Sequence, residues 1–168
     1  MAQIYLSIGS NIDPEFHFKR CATMLEAQFE KLQWSPLYRS KAVGMVGEDF
    51  LNAVVSAHTA LSVEQLGNTL NTIETDLGRV RGANKFSSRT MDIDLLLYDD
   101  LVVNGTRINL PRDEIVNTAH VLVPLVDLIP NAKHPVVGKT YSTLLDELVD
   151  KNPTVKSELT HVSMSLGS

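Results

Sequence analysis

The order of strand-like and helix-like patterns along the chain constrains its fold more than any other feature. Six successive segments carry such patterns, and they follow one another as β-α-β-β-α-β. The segments cover residues 3–8, 14–32, 33–40, 50–58, 62–78 and 92–98. This order is the split β-α-β arrangement of a ferredoxin-like sandwich. We therefore predict an α+β, ferredoxin-like fold with extra C-terminal elements.

Capping residues and apolar runs support these boundaries. Asp13 followed by Pro14 is typical of a helix start, because the Asp side chain caps the helix and proline needs no amide partner there. Ser62 and Gln65 form the two halves of a capping box for the second helix. The run 92–98 is strongly apolar after its acids, as expected of a central strand.

The second half of the chain carries shorter patterns and no repeat or linker, so we expect a single domain over 1–168. Further predicted elements are a hairpin turning at Asn104-Gly105, helices over 121–129 and 140–151, and a loosely packed tail from about 152 to 168.

The composition bounds the partners and the compartment. The chain has 168 residues and a formal net charge of −5 at pH 7. This charge argues against a general nucleic-acid or membrane binder, because both of those surfaces are anionic. The single Cys21 forms no internal disulfide and is typical of a reducing compartment. With no signal-peptide pattern and no apolar run of roughly 18 residues, we expect a cytoplasmic protein.

The candidate functional residues cluster between Gly78 and Leu97. Asp92 and Asp94 stand there at the head of the apolar strand. Residues two apart in a strand project to the same face, so the two carboxylates should lie side by side. Four cations precede them within eleven residues of this otherwise acidic protein: Arg79, Arg81, Lys85 and Arg89.

Asp92 and Asp94 predict a metal site when they are considered together with this basic segment. Adjacent carboxylates repel each other, and burying them without a counter-charge is costly. Mg²⁺ removes that cost, and proteins hold it with one or two carboxylates plus phosphate oxygens, which arginine also binds. A D-x-D alone is usually a solvated strand end, and a basic loop alone is usually surface. Their direct succession predicts a site for Mg²⁺ and a polyphosphate.

This segment also resembles the signature R-x-x-D-I-D-L-L of the 6-hydroxymethyl-7,8-dihydropterin pyrophosphokinases, a family of folate-pathway enzymes. It is present here as Arg89-Thr90-Met91-Asp92-Ile93-Asp94-Leu95-Leu96. The resemblance covers about residues 3–150. Other segments agree in order and spacing: Leu6 to Asn11, Tyr38-Arg39-Ser40 with Gly44, Phe50 to Ala53, Ile73-Glu74 with Gly78-Arg79, Leu110-Pro111, and Val123-Pro124-Leu125.

The resemblance implies a pyrophosphokinase whose substrates are ATP, carried with Mg²⁺, and a pterin. It implies that Asp92 and Asp94 are the metal ligands, holding two Mg²⁺ ions on the triphosphate, and that the catalytic set also includes Arg79 and Arg89. Nucleotide contacts are implied for Asn71, Glu74, Arg81, Lys85, Phe86, Leu95, Arg107 and Arg112. Pterin contacts are implied for Ser40, Val43, Phe50, Asn52 and His120.

Simpler roles stay open for three of these residues. Phe50, which the resemblance stacks on the pterin ring, also fits a plain core position. Asn52, which would bind the polar edge of the ring, also fits a turn cap. Glu74 also fits a simple pairing with Arg79.

Several positions depart from the family's usual pattern. Phe86 stands where the family has Trp, and Ser87-Ser88 where it has Gly-Pro. Arg112 replaces a His, Thr118 replaces an Arg, and His120 replaces the Phe that forms the second aromatic wall of the pterin slot. His120 is flat and can stack, but it adds a group that titrates near neutral pH. These departures bear on the pterin more than on ATP and the metal.

The implied reaction is attack of the pterin hydroxymethyl oxygen on the β-phosphorus of ATP, with release of AMP. It requires in-line positioning and neutralisation of charge, and no residue stands out as a general base. Two alternatives stay open. One is a divergent paralogue that acts on another pteridine or a related alcohol, and the other is a non-catalytic ferredoxin-like module that binds a nucleotide as a regulator. We expect a monomer with no obligate protein partner, no nucleic acid and no membrane.

Overall fold

A computed structural model describes residues 1–40, 49–78, 91–163 and 166. Within these residues the chain forms a six-stranded antiparallel sheet and a separate two-stranded ribbon. The sheet order is β5-β1-β4-β3-β8, with β2 also paired to β4, and the ribbon is β6-β7. The strands are β1 (Ala2–Ser10), β2 (Glu30–Trp34), β3 (Leu37–Ser40), β4 (Phe50–Thr59), β5 (Asp92–Tyr98), β6 (Val103–Asn104), β7 (Asn109–Leu110) and β8 (Leu159–Val162).

Helices cover both faces of the sheet. The α-helices of the described residues are α1 (Pro14–Gln28), α2 (Val63–Asp76), α3 (Ala119–Leu128) and α4 (Tyr141–Lys151). Short 3₁₀ helices, Asp113–Val116 and Lys156–Glu158, precede α3 and β8. The predicted β-α-β-β-α-β order and the α+β class are confirmed, since β2 and β3 together occupy the place of one strand beside β4.

Strand alternation divides the interior into two apolar cores. Leu51, Ala53, Val55 and Ala57 of β4 face α1 and α2, whereas Val54 faces α3 and α4. Burying a Leu or Val side chain in such a core contributes about 1.5–3 kcal/mol relative to leaving it exposed. The fold is therefore three layers deep, with a helix pair on each side of the sheet.

Strand β5 lies at one edge of the sheet, so the prediction that it is central is wrong. Among the described strands its neighbour is β1. The strand is apolar because both of its faces are covered. Ile93 and Leu95 belong to the α1–α2 core, and Leu96 and Leu97 belong to the α3–α4 core. Its open edge is partly closed by Glu74, whose carboxylate accepts a 2.7 Å hydrogen bond from the Ile93 N–H.

Helix α1 ends at Gln28, four residues before the predicted end at residue 32. Phe29 is already extended, and residues 30–34 form β2, which pairs with the second half of β4. Leu32 is half-buried against the α1–α2 core. The sequence spacing suggested a longer helix because Leu32 points inward in either conformation, and pairing with β4 decides in favour of the strand.

The two predicted helix starts have different outcomes. Ser62 and Gln65 form both hydrogen bonds of the capping box at the start of α2, which confirms that prediction. Pro14 opens α1 as expected, but Asp13 makes no side-chain cap. Its backbone is left-handed, with φ 41°, and its carbonyl oxygen instead accepts the 3.0 Å hydrogen bond from the His17 N–H.

The C-terminal region contains one element that the sequence patterns did not predict. Residues 159–162 form β8, which pairs antiparallel with β3 from Leu37↔Val162 to Ser40↔Leu159. The predicted hairpin forms, but Asn104 pairs with Asn109, so its loop holds four residues and not two. Both later helices lie close to their predicted ranges. The extent of the domain stays a prediction.

In the described parts of the chain, no helix is both long enough and apolar enough to cross a membrane.

Candidate active site

Asp92 and Asp94 open strand β5 and lie on the face of the sheet that α3 covers. They share this face of the strand with Leu96, which packs in the α3–α4 core. Across the β1–β5 ladder, Asp92 lies opposite Gly9 and Asp94 opposite Ser7. Both aspartates are half-buried. The strand therefore brings the two carboxylates to one face, at the point where the chain emerges from residues 79–90.

The surroundings of Asp94 disfavour its ionised form. Burial and the neighbouring Asp92 carboxylate raise the pKa of Asp94 to about 7, while Arg112 acts in the opposite direction. The Arg112 guanidinium lies 3.4 Å from the Asp94 carboxylate, and its Nε lies 2.9 Å from Glu114. One guanidinium is thus shared between carboxylates, so this corner of the site favours an additional cation.

The donor set at this corner fits Mg²⁺. Two half-exposed carboxylates supply hard oxygen ligands and leave the other positions of an octahedral ion to water and phosphate oxygens. Within the described residues, no group of three or more His, Cys, Asp or Glu side chains forms an all-protein metal cage. A metal held by Asp92 and Asp94 would therefore take the rest of its shell from water and phosphate oxygens.

Glu74 holds the strand that carries the two aspartates. It lies in the last turn of α2, is 3% exposed, and accepts the hydrogen bond from the Ile93 N–H described above. Ile93 stands between Asp92 and Asp94, so this bond fixes the backbone from which both carboxylates project. Its negative charge also adds to the factors that raise the pKa of Asp94.

A row of residues crosses the same face of the sheet from Asp92 into the neighbouring strands. Asp92 pairs with Gly9, Gly9 with Asn52, and Asn52 with Tyr38. Gly9 leaves a gap in this row. A Cβ atom placed on Gly9 would lie 3.4 Å from Asn52 Oδ1 and 3.9 Å from the ring of Phe50. The space above Gly9 is therefore bordered by an amide and an aromatic ring on one side and by Asp92 on the other.

The Asn52 side chain is held in one orientation. Its Nδ2 donates to Ser40 Oγ at 2.7 Å and lies 3.4 Å and 3.5 Å from the carbonyl oxygens of Tyr38 and Phe50. Because both carbonyl partners are acceptors, the amide nitrogen must face them. Oδ1 then faces the space above Gly9, where it presents a hydrogen-bond acceptor to any ligand.

His120 lies in the first turn of α3, on the side of Asp92. Its side chain is exposed, yet the protein around the ring lowers the pKa of the imidazole, an effect that Asp92 and Glu114 oppose. The neutral form is therefore favoured near pH 7. A neutral, flat ring at this position can stack on another ring.

The comparison with known proteins identifies the family. Residues 5–130 match the family model described as 7,8-dihydro-6-hydroxymethylpterin-pyrophosphokinase (HPPK). This chain belongs to the HPPK family.

Curated relatives agree with this HPPK assignment. The 2-amino-4-hydroxy-6-hydroxymethyldihydropteridine pyrophosphokinase of Synechocystis sp. is 33% identical over 146 residues, which are 85% of this chain and 74% of that protein. The protein of the same name from Aquifex aeolicus is 33% identical over 141 residues, or 83% and 88% of the two chains. The folic acid synthesis protein fol1 of Pneumocystis carinii is 32% identical over 88% of this chain, which spans 20% of that protein.

Solved structures show the same fold. The crystal structure of Plasmodium falciparum HPPK-DHPS wild type matches with a TM-score of 0.77 and 13% identity, covering 97% of this chain and 48% of that one. The structure of the same protein with SDX-DHP matches with a TM-score of 0.73 and 13% identity, covering 98% and 48%. This chain therefore spans about half the length of those HPPK-DHPS structures, and the likeness concerns the fold.

Some residues implied by the resemblance to HPPK proteins lie outside the described residues, and their roles stay predictions. They are Arg79, Arg81, Lys85, Phe86 and Arg89 in the segment 79–90, and Val43 in the segment 41–48.

Three further residues implied as nucleotide contacts lie in described elements. Asn71 is exposed on α2, and Arg107 is exposed in the loop between β6 and β7. Leu95 is half-buried and packs against the α1–α2 core. Their contact with a nucleotide stays a prediction.

Three residues of the site were not identified from the sequence. Glu114 shares Arg112 with Asp94, and no periodic pattern marks it. Gly9 looked only like the end of a strand, and its place beside Asp92 and Asn52 depends on the register of three strands. Tyr38 was noted only as part of a family segment, although its carbonyl oxygen lies 3.4 Å from Asn52 Nδ2.

Proposed function

We propose that this chain transfers the diphosphate of ATP to the hydroxymethyl group of 6-hydroxymethyl-7,8-dihydropterin, with Mg²⁺, in folate biosynthesis. One observation carries this proposal. The carboxylate pair Asp92–Asp94 and the amide of Asn52 lie on the same sheet face, separated by the unfilled position at Gly9. A site for a polyanion with its metal thus adjoins a site for a neutral heteroaromatic ring, as this reaction requires.

The pterin half of the proposed site is neutral and directional. Asn52 Oδ1 accepts a hydrogen bond from an N–H at the polar edge of the ring, while Ser40 keeps the amide from turning. Phe50 borders the space above Gly9 on the same side as Asn52, and His120 closes it from α3 as the second ring wall. We propose that Val43 adds contacts from the segment that follows β3.

The phosphate half of the proposed site carries the carboxylates of Asp92 and Asp94. The Mg²⁺ that accompanies ATP would supply the positive charge that balances them. Asp92 and Asp94 would hold Mg²⁺, which supplies neutralisation of the phosphate oxygens. Arg112 lies beside Asp94, and we propose that it contacts a phosphate. We propose that Arg79, Arg81, Lys85 and Arg89 add positive charge from the segment before β5, with Phe86 beside the nucleotide.

In the reaction the hydroxymethyl oxygen forms a bond to the β-phosphorus. The bond from the β-phosphorus to the oxygen bridging to the α-phosphorus breaks, AMP leaves with that oxygen, and the hydroxyl proton is released. Asn52 and the ring walls orient the attacking group, and the arginines stabilise charge on the transferred and leaving oxygens.

The compartment and the assembly state also belong to the proposal. We propose a cytoplasmic monomer, because the single Cys21 is a free, buried thiol and the two halves of the site come from one chain. Gel filtration with light scattering measures the assembly state directly.

Release of AMP from MgATP, with and without 6-hydroxymethyl-7,8-dihydropterin, tests the proposed function. We expect AMP only when the pterin and Mg²⁺ are both present, and no ADP. AMP release that requires a different pteridine or alcohol would support the divergent paralogue. The presence of His120 in place of the family's usual Phe favours that alternative. Binding of ATP without any release of AMP would support the non-catalytic module.

A further inference from the structure

Tyr38 connects the floor of the proposed pterin slot to the helix that carries its second wall. Its side chain is 5% exposed, and its hydroxyl donates a hydrogen bond to the Asp127 carboxylate in the last turn of α3. Burial and Asp127 together raise the pKa of the Tyr38 phenol, so it remains a donor across the physiological range. This bond ties β3, which borders the floor of the slot, to the helix that carries its other wall.

The other end of α3 carries His120. Asp127 and His120 are seven residues apart, which is two turns, so they lie on the same side of the helix. A tilt of α3 that moves Asp127 relative to β3 therefore also changes the height of His120 above the sheet.

The floor of the slot meets Tyr38 through its backbone. Tyr38 pairs with Asn52 across the β3–β4 ladder, and its carbonyl oxygen lies 3.4 Å from Asn52 Nδ2. One residue thus contacts the polar floor through its backbone and the helix that carries the ring wall through its hydroxyl.

The apolar core does not supply this link. The buried cluster beneath α3 joins Val121, Leu122 and Leu125 to β4, β5 and α4, and none of the described members of that cluster comes from β3. Those contacts hold the helix over β4 and β5. Helix α3 also lies close to β3, and the Tyr38–Asp127 hydrogen bond is a side-chain contact that joins the two elements there.

A second element braces Tyr38 from the opposite side. The ring of His161 in β8 meets the Tyr38 ring edge-on, with 4.6 Å between ring centroids. Strand β8 also pairs with the outer edge of β3. In the sequence, β8 lies after the residues 5–130 that match the family model. The ring of Tyr38 is therefore held in place, and its hydroxyl has a fixed direction.

We propose that Tyr38 and Asp127 are positioning residues for the pterin: their hydrogen bond fixes α3 so that His120 stands at the correct height over Phe50 and Asn52. The proposal rests on the proposed pterin slot. It differs from a merely structural role, in which a buried tyrosine hydroxyl simply finds an acceptor, because it predicts a selective effect on one of the two substrates.

Steady-state kinetics of variants separate the two roles. Tyr38→Phe keeps the ring and its contact with His161 and removes only the hydroxyl. We expect KM for the pterin to rise about threefold to tenfold, the effect of one lost hydrogen bond, with KM for MgATP unchanged. Asp127→Ala should act in the same way, whereas Asp127→Asn, which keeps an acceptor oxygen, should retain most of the affinity. The double variant Tyr38→Phe with Asp127→Ala should have a KM for the pterin no higher than that of the single variant with the higher KM.

Tyr98→Phe is the matched control. The Tyr98 hydroxyl donates a 2.6 Å hydrogen bond to the Leu61 carbonyl oxygen, and its ring packs against the other core, between the sheet and α1–α2. This variant loses the same kind of bond, so Tm should fall by a similar amount while KM for the pterin stays that of the wild type.

The outcomes also separate this inference from the proposed function. If the wild type is active and Tyr38→Phe lowers Tm without a selective rise in KM for the pterin, the positioning role is wrong and the proposed function stands. If the wild type binds the pterin without turnover, calorimetric Kd values of the same variants decide the inference. If the wild type neither binds nor converts the pterin, the proposed function fails and the inference falls with it.

Discussion

At the scale of single residues, the candidate site joins two unlike environments on one sheet face. Asp92 and Asp94 form an anionic corner in which one guanidinium, that of Arg112, serves more than one carboxylate. Asn52 lies in a neutral region where its amide is fixed by hydrogen bonds. The two environments meet at Gly9, which places no side chain between Asp92 and Asn52.

Asp94→Asn should reduce activity and increase stability. The pKa of Asp94 is raised to about 7 in the folded state, above its unfolded value of roughly 3.9. The folded state therefore binds this proton more tightly, and stability is lost as pH rises from about 4 to about 7. Asparagine stays neutral, so the variant should have a higher Tm than the wild type at pH 8 and a similar Tm at pH 4.

The same variant should lose Mg²⁺-dependent turnover by about 100-fold or more, because a metal ligand is removed. Asp92→Asn should also abolish metal-dependent turnover. Near-normal turnover in either variant would show that the pair is not the metal site. A Tm at pH 8 no higher than that of the wild type would contradict the electrostatic description of Asp94.

Gly9→Ala should block the pterin without harming the fold. The added methyl would meet Asn52 Oδ1 at 3.4 Å, an ordinary contact, and alanine is favoured over glycine in a strand by roughly 0.5–1 kcal/mol. It would nevertheless occupy the floor of the slot, so KM for the pterin should rise about tenfold, as overpacking costs roughly 1–3 kcal/mol. Gly67→Ala on α2, where nothing lies within 4 Å, is the control. Unchanged pterin KM in Gly9→Ala would place the pterin elsewhere.

His120→Phe should remove a pH dependence of pterin binding. The pKa of His120 is lowered by the protein around it, so its neutral form is favoured near pH 7. If His120 stacks on the pterin as proposed, protonation at lower pH adds a charge that the neutral pterin does not match. Wild-type Kd for the pterin should rise as pH falls below about 6.5, and the Phe variant should bind more tightly with a flat profile. Weaker binding by the Phe variant would instead reveal a specific polar contact made by His120.

At the scale of elements, the segments that the sequence predicted are those whose shape is decided locally. The capping box at Ser62 and the alternation of residues 51–57 correctly predicted α2 and β4. The errors lie where distant pairing decides the outcome. Pairing with β4 ends α1 before Leu32, β5 lies at an edge because no described strand adds beyond it, and β8 forms because the edge of β3 is available.

The same distinction holds within the site. The aspartate pair could be predicted because both residues lie in one strand. The link between Tyr38 and Asp127 spans 89 residues, and no sequence pattern predicts it.

The loop between α3 and α4 should make stability depend on pH. His134 is 7% exposed, and its Nδ1 accepts hydrogen bonds from the Val136 and Val137 N–H groups at 3.2 and 3.1 Å, which requires the neutral ring. Burial lowers its pKa, so the unfolded chain takes up the proton first, and stability falls as pH drops below about 6.5. His134→Asn keeps an acceptor without a titrating group, and its Tm should fall less between pH 7 and pH 5. Equal losses in both proteins would exclude this role.

At the scale of the whole molecule, the three layers bring distant parts of the chain to one site. The sheet provides the row from Asp92 to Asn52, the α1–α2 layer provides Glu74 behind β5, and the α3–α4 layer provides His120 on the side of Asp92. The two apolar cores hold these layers together away from the polar row. The proposed function requires a metal site at Asp92 and Asp94 to adjoin a pterin slot beside Asn52.

A crystal structure with Mg²⁺, a non-hydrolysable ATP analogue and 6-hydroxymethyl-7,8-dihydropterin tests that claim most directly. We expect Mg²⁺ bound by both Asp92 and Asp94, at about 2.1 Å from their oxygens. We also expect the pterin above Gly9, donating a hydrogen bond to Asn52 Oδ1, between the rings of Phe50 and His120. A pterin bound anywhere else, or a metal that contacts neither aspartate, would contradict it.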